Sequence, residues 1–368
     1  MRRLFGISVV AAAQVVMACS QPAPSASQPS SPQEYFSGKT VTVEVGYSPG
    51  GGQDTNARVT AKYLGKHIPG NPQIVVENRT GSDGLIAGQY TMQQPADGLN
   101  MVLVNNILPQ KAALSGQQLP GFDVLHSAVL GNVQVSNRPY DNYMVCVRSD
   151  LAQTYQQLLA QVKQLGRPLT AGVFRGGSWG AILPTYFGMP FKPVAGYTGT
   201  DTILQAMDQN ELEVLVDGCN YEQIDRLHPD WLRKPSRVQP VLNTDGSDLT
   251  PLKRVFDAAG WEIPPTIDEA LSLTDAQKEL LKAGQETSTT TTHEWMVRGD
   301  TPAWIIEVER SALKGVTEDP AFIADMQKIN RKAGYVTPQQ YEEYYRQLQS
   351  YTGDLKEAMK IFAGLTGQ

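Results

Sequence analysis

The sequence predicts an α/β fold made of two units, each a parallel-core sheet flanked by helices. Three observations carry this reading. Strand-like and helix-like segments alternate from Val41 to Val104. A second alternating unit begins near Tyr143. The 368 residues are enough for two domains with a core each. The composition, 41% apolar and 18% charged, excludes disordered and collagen-like chains.

Taken in order, the chain opens with Arg2 and Arg3, then a mostly apolar stretch, Leu4–Val16, too short to cross a bilayer comfortably. Val16-Met17-Ala18-Cys19 follows and looks like a bacterial lipobox, with Cys19 as the lipidated residue; plain secretion is the alternative. Ser20–Gln33 contains only Ser, Pro, Gln and Ala, and the region to about residue 37 reads as a tether. Val41–Gly46 alternates as a strand. Asp54 can cap a helix with Ala57, Ala61, Leu64 and Ile68 on one face. Ile74-Val75-Val76 is a second strand, Leu85–Gln94 a second helix and Met101–Val104 a third strand. This order implies parallel strands joined by crossover helices, with ligands at the carboxyl ends of the strands.

The second unit has strands at Tyr143–Val147, Leu169–Phe174 and Leu212–Val216, with a helix around Thr202–Gln209. The C-terminal third is helical. Thr301-Pro302 reads as a cap followed by proline at the first helical position. Thr337-Pro338-Gln339-Gln340 does the same and adds a capping box. Tyr341, Tyr344, Leu348 and Tyr351 form a core-facing stripe behind it.

Several function classes drop out. The formal charge is −6 and no Lys/Arg cluster appears, which argues against a nucleic-acid surface. The four histidines are scattered and none has metal-motif spacing, so no metal is expected. No cofactor motif is present, and no later apolar run reaches the ~18 residues a span needs. Three cysteines exclude a disulfide framework. Cys146 and Cys219 could pair in an oxidising compartment or remain buried thiols.

Three loops carry the functional signal. Tyr47-Ser48-Pro49-Gly50-Gly51-Gly52-Gln53-Asp54 joins a strand to a helix N-terminus, where bare backbone amides favour an anion. It lacks the Gly-Lys-Ser/Thr of a phosphate loop. Glu77-Asn78-Arg79-Thr80-Gly81-Ser82-Asp83-Gly84 repeats the arrangement, and Gly176-Gly177-Ser178-Trp179-Gly180 supplies a third loop from the second unit. Together they suit a small carboxylate held mostly by backbone amides rather than arginines.

These motifs resemble those of the periplasmic solute receptors of tripartite tricarboxylate transporters, the Bug or TctC-like family. The first two loops, Pro95-Ala96-Asp97-Gly98, Gly196-Tyr197-Thr198-Gly199 with Ile203-Leu204-Gln205-Ala206, and Gly299-Asp300-Thr301-Pro302 match that family's pattern in order over about residues 40–350. Thr198 stands where the family usually has lysine, Trp179 where a small residue is usual, and about 221–298 matches poorly. The resemblance implies a two-lobed type II periplasmic binding protein. Lobe 1 would comprise residues 38–140 and 298–368, lobe 2 residues 141–297, with crossings near 138–142 and 292–300. It implies a monomer without cofactor that binds a carboxylate and passes it to membrane permease subunits. Tyr47 would wall the cleft, and Ser48, Gly50, Gly51, Gly52 and Gln53, with Thr80, Gly81, Ser82 and Asp83, would grip one carboxylate. Ser178, Trp179, Tyr197 and Thr198 would meet the distal end, Trp179 favouring a larger or ring-bearing acid. Asp54, Asn105 and Asp217 complete the candidate set, Asp54 with loop organisation as its other reading.

Two other classes stay open. Gly176-Gly177-Ser178-Trp179-Gly180 also matches the nucleophile elbow of α/β-hydrolases, with Asp217 or Asp225 and then His228 or His293 in the required chain order. A lipid-tethered scaffold that has lost its ligand is the other.

Overall fold

The computed structural model describes residues 31–138, 142–174, 179–197, 199–290, 293–363 and 365. Arg175–Ser178, Thr198 and Cys19 with the leader lie outside the described residues. Among the described residues eleven strands form two sheets. The first contains β1 (Thr40–Val45), β2 (Gln73–Asn78), β3 (Asn100–Asn105), β4 (Ala128–Val135), β10 (His293–Val297) and β11 (Lys332–Val336), in the order β11-β4-β10-β3-β1-β2. The second contains β5 (Met144–Arg148), β6 (Leu169–Phe174), β7 (Phe191–Tyr197), β8 (Val214–Leu215) and β9 (Val238–Asn243), in the order β7-β6-β8-β5-β9.

Parallel pairing is confined to the helix-crossover units. β1 runs parallel to β2 and β3, and β6 parallel to β7 and β8. The remaining pairs are antiparallel: β10 with β3 and β4, β11 with β4, and β5 with β8 and β9. Both sheets are therefore mixed: each keeps the parallel core that the sequence implied, β2-β1-β3 and β7-β6-β8, with antiparallel strands added to it. A crossover helix forces the next strand to run parallel. The strands that first enter a sheet from the other lobe, β5 and β10, have no such crossover within that sheet.

The first helix of the crossover unit, Gly52–His67, buries Ala57 and Leu64 beside Ile68, the face read from the sequence. Its Val41, Val43 and Val45 neighbours on β1 are fully buried, as alternate strand residues should be. The capping box at Thr337 is formed: the Thr337 hydroxyl accepts from Gln340 N at 3.4 Å and Gln340 Oε1 from Thr337 N at 2.8 Å. Behind it Tyr341, Tyr344 and Leu348 are buried. Pro302 caps the helix Ala303–Glu318 instead of occupying its first turn, because its ψ of 132° is extended.

Three boundaries differ from the sequence reading. Pro32–Phe36 is a short helix whose Phe36 is fully buried, inside the stretch expected to be tether. β10 is a first-sheet strand, so the return crossing falls before His293. The C-terminal helix Gly353–Phe362 packs on the helices Trp179–Tyr186 and Asp275–Thr290 as well as on Ile107–Ser115. Its Ala358 and Met359 join the same apolar cluster as Ile182, Leu183, Leu280 and Leu281, and burial there outweighs allegiance to lobe 1. Cys146 and Cys219 are joined as a disulfide with a Cα–Cα separation of 5.9 Å, linking β5 to the segment after β8.

β10 also carries a fully buried acid. Glu294 accepts a hydrogen bond from the Tyr345 hydroxyl, and burial raises its carboxyl to about 8 despite that bond. The unfolded glutamate ionises near 4.5. Between those pH values the native state holds a proton the unfolded state has lost, so this group's contribution to stability falls as pH rises from 4.5 towards 8. Glu294→Gln keeps the shape without the ionisable proton. The variant should melt a few degrees above the parent at pH 8, and the gap should close by pH 5. Melts at both pH values check this; a pH-independent gap contradicts it.

Candidate functional site

The two first-lobe loops are built against each other. A Cβ placed on Gly46, just past β1, would lie 2.2 Å from the Gly84 Cα, so the backbones touch where only glycine fits. Tyr47 follows and its hydroxyl donates to Asp83 O at 3.2 Å. Burial first, and the Asp83 charge second, push that phenol far above its usual range, so it serves as a neutral donor. Across the contact, four consecutive residues have positive φ: Gly81 (134°), Ser82 (49°), Asp83 (56°) and Gly84 (93°). Two are not glycine, and backbone strain of this kind survives only where surrounding contacts over-determine it. Here the Lys111 ammonium helps, 2.9 Å from Asp83 Oδ2.

Asp54 organises the glycine loop. Its carboxylate accepts from Gly50 N at 2.8 Å, Asn78 Nδ2 at 2.8 Å and Arg58 Nε at 2.9 Å. Asn78 Nδ2 also donates to Tyr47 O at 2.9 Å, which ties the end of β2 to the loop after β1. Burial pushes the Asp54 carboxyl up, but the Arg58 bond, the Gly50 amide and Asn78 outweigh it and hold the group below the usual carboxylate range. Asp54 is 2% exposed and both its oxygens are engaged in organising the loop. Gly51, with ψ 172°, is the N-cap of the helix Gly52–His67, and its N–H bonds Ser48 O at 3.2 Å. The first-turn amides beyond it have no partner within the helix, which leaves an anion-favouring end.

The second lobe faces this loop. A Cβ on Gly199, the N-cap of the helix Thr200–Asp208, would lie 3.2 Å from Ser48 Oγ. A Cβ on Gly52 would lie 3.1 Å from Gln223 Nε2 and 3.3 Å from Arg331 Nη2. Arg226 donates from Nη1 to Gly50 O. Two helix N-termini, one from each lobe, thus come together at Ser48 and Gly199.

The other candidates fall as follows. Asn105 ends β3 and its side chain accepts from Ile107 N at 2.9 Å, a local turn bond. Tyr197 ends β7, half-buried, its phenol raised by burial and by the Glu211 charge. Asp217 is buried just after β8, 4% exposed. Gln53 is 6% exposed, and Thr80 is exposed at the loop tip. Trp179 is 4% exposed and packs inside an extended apolar cluster. Ser178 and Thr198 lie outside the described residues. Of the residues weighed for a hydrolase, His228 stacks on Trp231 with centroids 4.4 Å apart and Asp225 accepts from Asn330. His293 sits in the first sheet.

Sequence reasoning missed Arg331, Glu222 and Arg226. Arg331 is 3% exposed and donates from Nη2 to Glu222 Oε1 at 3.1 Å and from Nη1 to Gly52 O at 2.9 Å. Nothing in Asn330-Arg331-Lys332 marks it, because its partners lie more than a hundred residues away in sequence.

No protein-family model matches the chain. Two curated proteins match over short stretches. The UPF0065 protein of the tcbD–tcbE intergenic region of Pseudomonas sp. (strain P51) is 34% identical over 71 residues, 19% of this chain and 20% of that protein. BugT of Bordetella pertussis is 32% identical over 94 residues, 26% of this chain and 28% of that protein. The matches therefore span between a fifth and about a quarter of the length of these relatives. Solved structures match along the whole fold. Periplasmic binding protein BugD has a TM-score of 0.65 at 15% identity, covering 90% of this chain and 100% of that one. A protein of R. palustris with adipate scores 0.63 at 20% identity, covering 89% and 98%. MatC from Rhodopseudomonas palustris with bound malate scores 0.62 at 15% identity, covering 88% and 100%. The chain thus has the two-lobed α/β fold of periplasmic binding proteins. The short curated matches fall on a UPF0065 protein and on BugT, and BugD is among the structures that share the fold.

Proposed function

We propose that this chain is an extracytoplasmic solute receptor. It binds a small carboxylate in the gap between its lobes and hands it to a tripartite tricarboxylate-type membrane permease, without catalysis. The observation that carries this is the meeting of the Gly51-capped and Gly199-capped helix N-termini, with Ser48 Oγ on one side and the Gly199 backbone on the other. Backbone amides and helix ends supply positive potential without a titratable group, which suits a carboxylate at any pH where it is ionised. Ser48, Gly50–Gln53 and Thr80–Asp83 take the proximal carboxylate in this reading. Tyr197 and Thr198, with Ser178, take the distal end. The bound adipate and malate of the two solved relatives agree with the ligand class.

Thermal melts against a panel of C4–C6 dicarboxylates test it. At 100 times its Kd a ligand adds about 2.7 kcal/mol, a shift of several degrees. One acid class should shift the midpoint; no shift from any acid contradicts the reading. The same reading places the receptor in the periplasm with Cys19 lipidated, the Ser/Pro/Gln segment spacing it from the membrane. Cys19→Ala should then move the protein from the membrane fraction to the soluble periplasmic fraction, and an unchanged membrane fraction would contradict the anchor.

A further inference from the structure

We propose that the Asn330-Arg331 turn and the helix Tyr221–Leu227 form an interlobe clasp that sets the glycine loop and the closure of the lobes together. The turn precedes β11 in the first lobe, and the helix belongs to the second. Arg331 reaches across and donates from Nε and Nη2 to Glu222 Oε1 at 3.3 and 3.1 Å. Both side chains are nearly excluded from solvent, 3% and 5% exposed. Beside them Asn330 Nδ2 donates to Asp225 Oδ2 at 2.9 Å. Asn330 holds a left-handed φ of 56°, and its carbonyl accepts from Asn137 Nδ2 at 2.6 Å, at the start of the first crossing between lobes.

What makes this more than an ion pair is where the remaining donors go. Arg331 Nη1 donates to Gly52 O, and Arg226, one turn beyond Glu222, donates to Gly50 O. A trans peptide is planar, so fixing the Gly52 carbonyl also fixes the Gln53 N–H on the other side of the same plane. That N–H is a first-turn amide with no partner inside its helix. The Gly50–Gly51 peptide is pinned at both ends, by Arg226 on its carbonyl and by Ser48 O on its N–H. An arginine from each lobe therefore aims the amides of one loop, and only while Glu222 is docked are both in place. Arg331 and Arg226 are positioning residues here, not ligand contacts. A buried charge left without its partner is strongly unfavourable, so parting the lobes exposes this pair to water.

The clasp rests on the two-lobed fold and not on the ligand's identity, so its failure leaves the receptor reading standing. The test uses the full chain carrying Arg331→Met or Glu222→Gln, each read by solution scattering and by amide exchange of the Gly50–Asp54 segment. Both variants should show a larger radius of gyration and about tenfold faster exchange in that segment, with exchange in β1, β3, β6 and β8 unchanged. Wild-type values of both, or an even rise in exchange across both sheets at an unchanged radius, would overturn the proposal, since either marks a pair that serves packing alone. If neither variant folds, Asp225→Ala decides: it sits inside the helix Tyr221–Leu227, removes the Asn330 contact without touching the left-handed turn, and should move both readouts in the same direction by less. Asp225→Ala indistinguishable from wild type would then overturn it.

Discussion

Gly46→Ala should cost about 2–3 kcal/mol and lower the melting temperature by several degrees while abolishing carboxylate binding. One methyl group is enough because of where it lands. The new Cβ would sit 2.2 Å from the Gly84 Cα and 3.2 Å from its N and carbonyl carbon, all backbone atoms that no rotamer change can move. The only relief is to part the loop after β1 from the loop after β2. Those loops are tied by the Tyr47 hydroxyl to Asp83 O and by Asn78 to both Tyr47 O and Asp54. Parting them breaks bonds on both sides of the proposed site, so stability and binding should fall together. Calorimetric melts with and without the best acid of the panel check this. A variant that melts like the parent, or that is destabilised yet binds normally, would show that the loops are not one unit.

Removing the Cys146–Cys219 bridge by the double change Cys146→Ala and Cys219→Ala should cost about 2–4 kcal/mol. The bridge closes a loop with a sequence separation of 73 residues, for which chain entropy alone gives about 4.4 kcal/mol, at and just above the top of that range. Both cysteines are fully buried among the apolar residues of the second lobe, so each alanine also leaves a small void. Unfolding of the second lobe should shift downward by roughly 10 °C, and reductant should shift the parent in the same direction. A parent insensitive to reductant, with a double variant of equal stability, would contradict the account.

Much of the first lobe was legible because its signals are local. Three glycines between a strand and a helix, Asp54 at the helix start and Asn78 at the end of the next strand lie within forty residues, and the structure brings them together. Local periodicity likewise found the buried face of Gly52–His67 and the Thr337 capping box. The pairing of β10 between β3 and β4 was not legible, since it depends on a strand nearly two hundred residues from one partner. Arg331 escaped for the same reason: a buried arginine is recognisable only once Glu222 and Gly52 stand beside it. The burial of Trp179 was not legible either, because the glycine-rich turn beside it says nothing of the apolar cluster that Trp179 joins. The cysteine pair stayed open in sequence because only a Cα separation decides it.

The central claim is that an anion is held between the lobes on the Ser48–Gln53 loop. Titration calorimetry of the full chain with the acid that most raises its melting point tests this most directly, beside the variant Gly51→Val. Gly51 has an extended backbone, φ −68° and ψ 172°, that any residue adopts, and a Cβ there would meet Ser48 O at 3.3 Å, a tight contact relieved by a shift of a few tenths of an ångström. The account predicts one site per chain in the parent and an affinity at least 100-fold weaker in a folded Gly51→Val. Equal affinity in the two proteins would place the ligand elsewhere and contradict it.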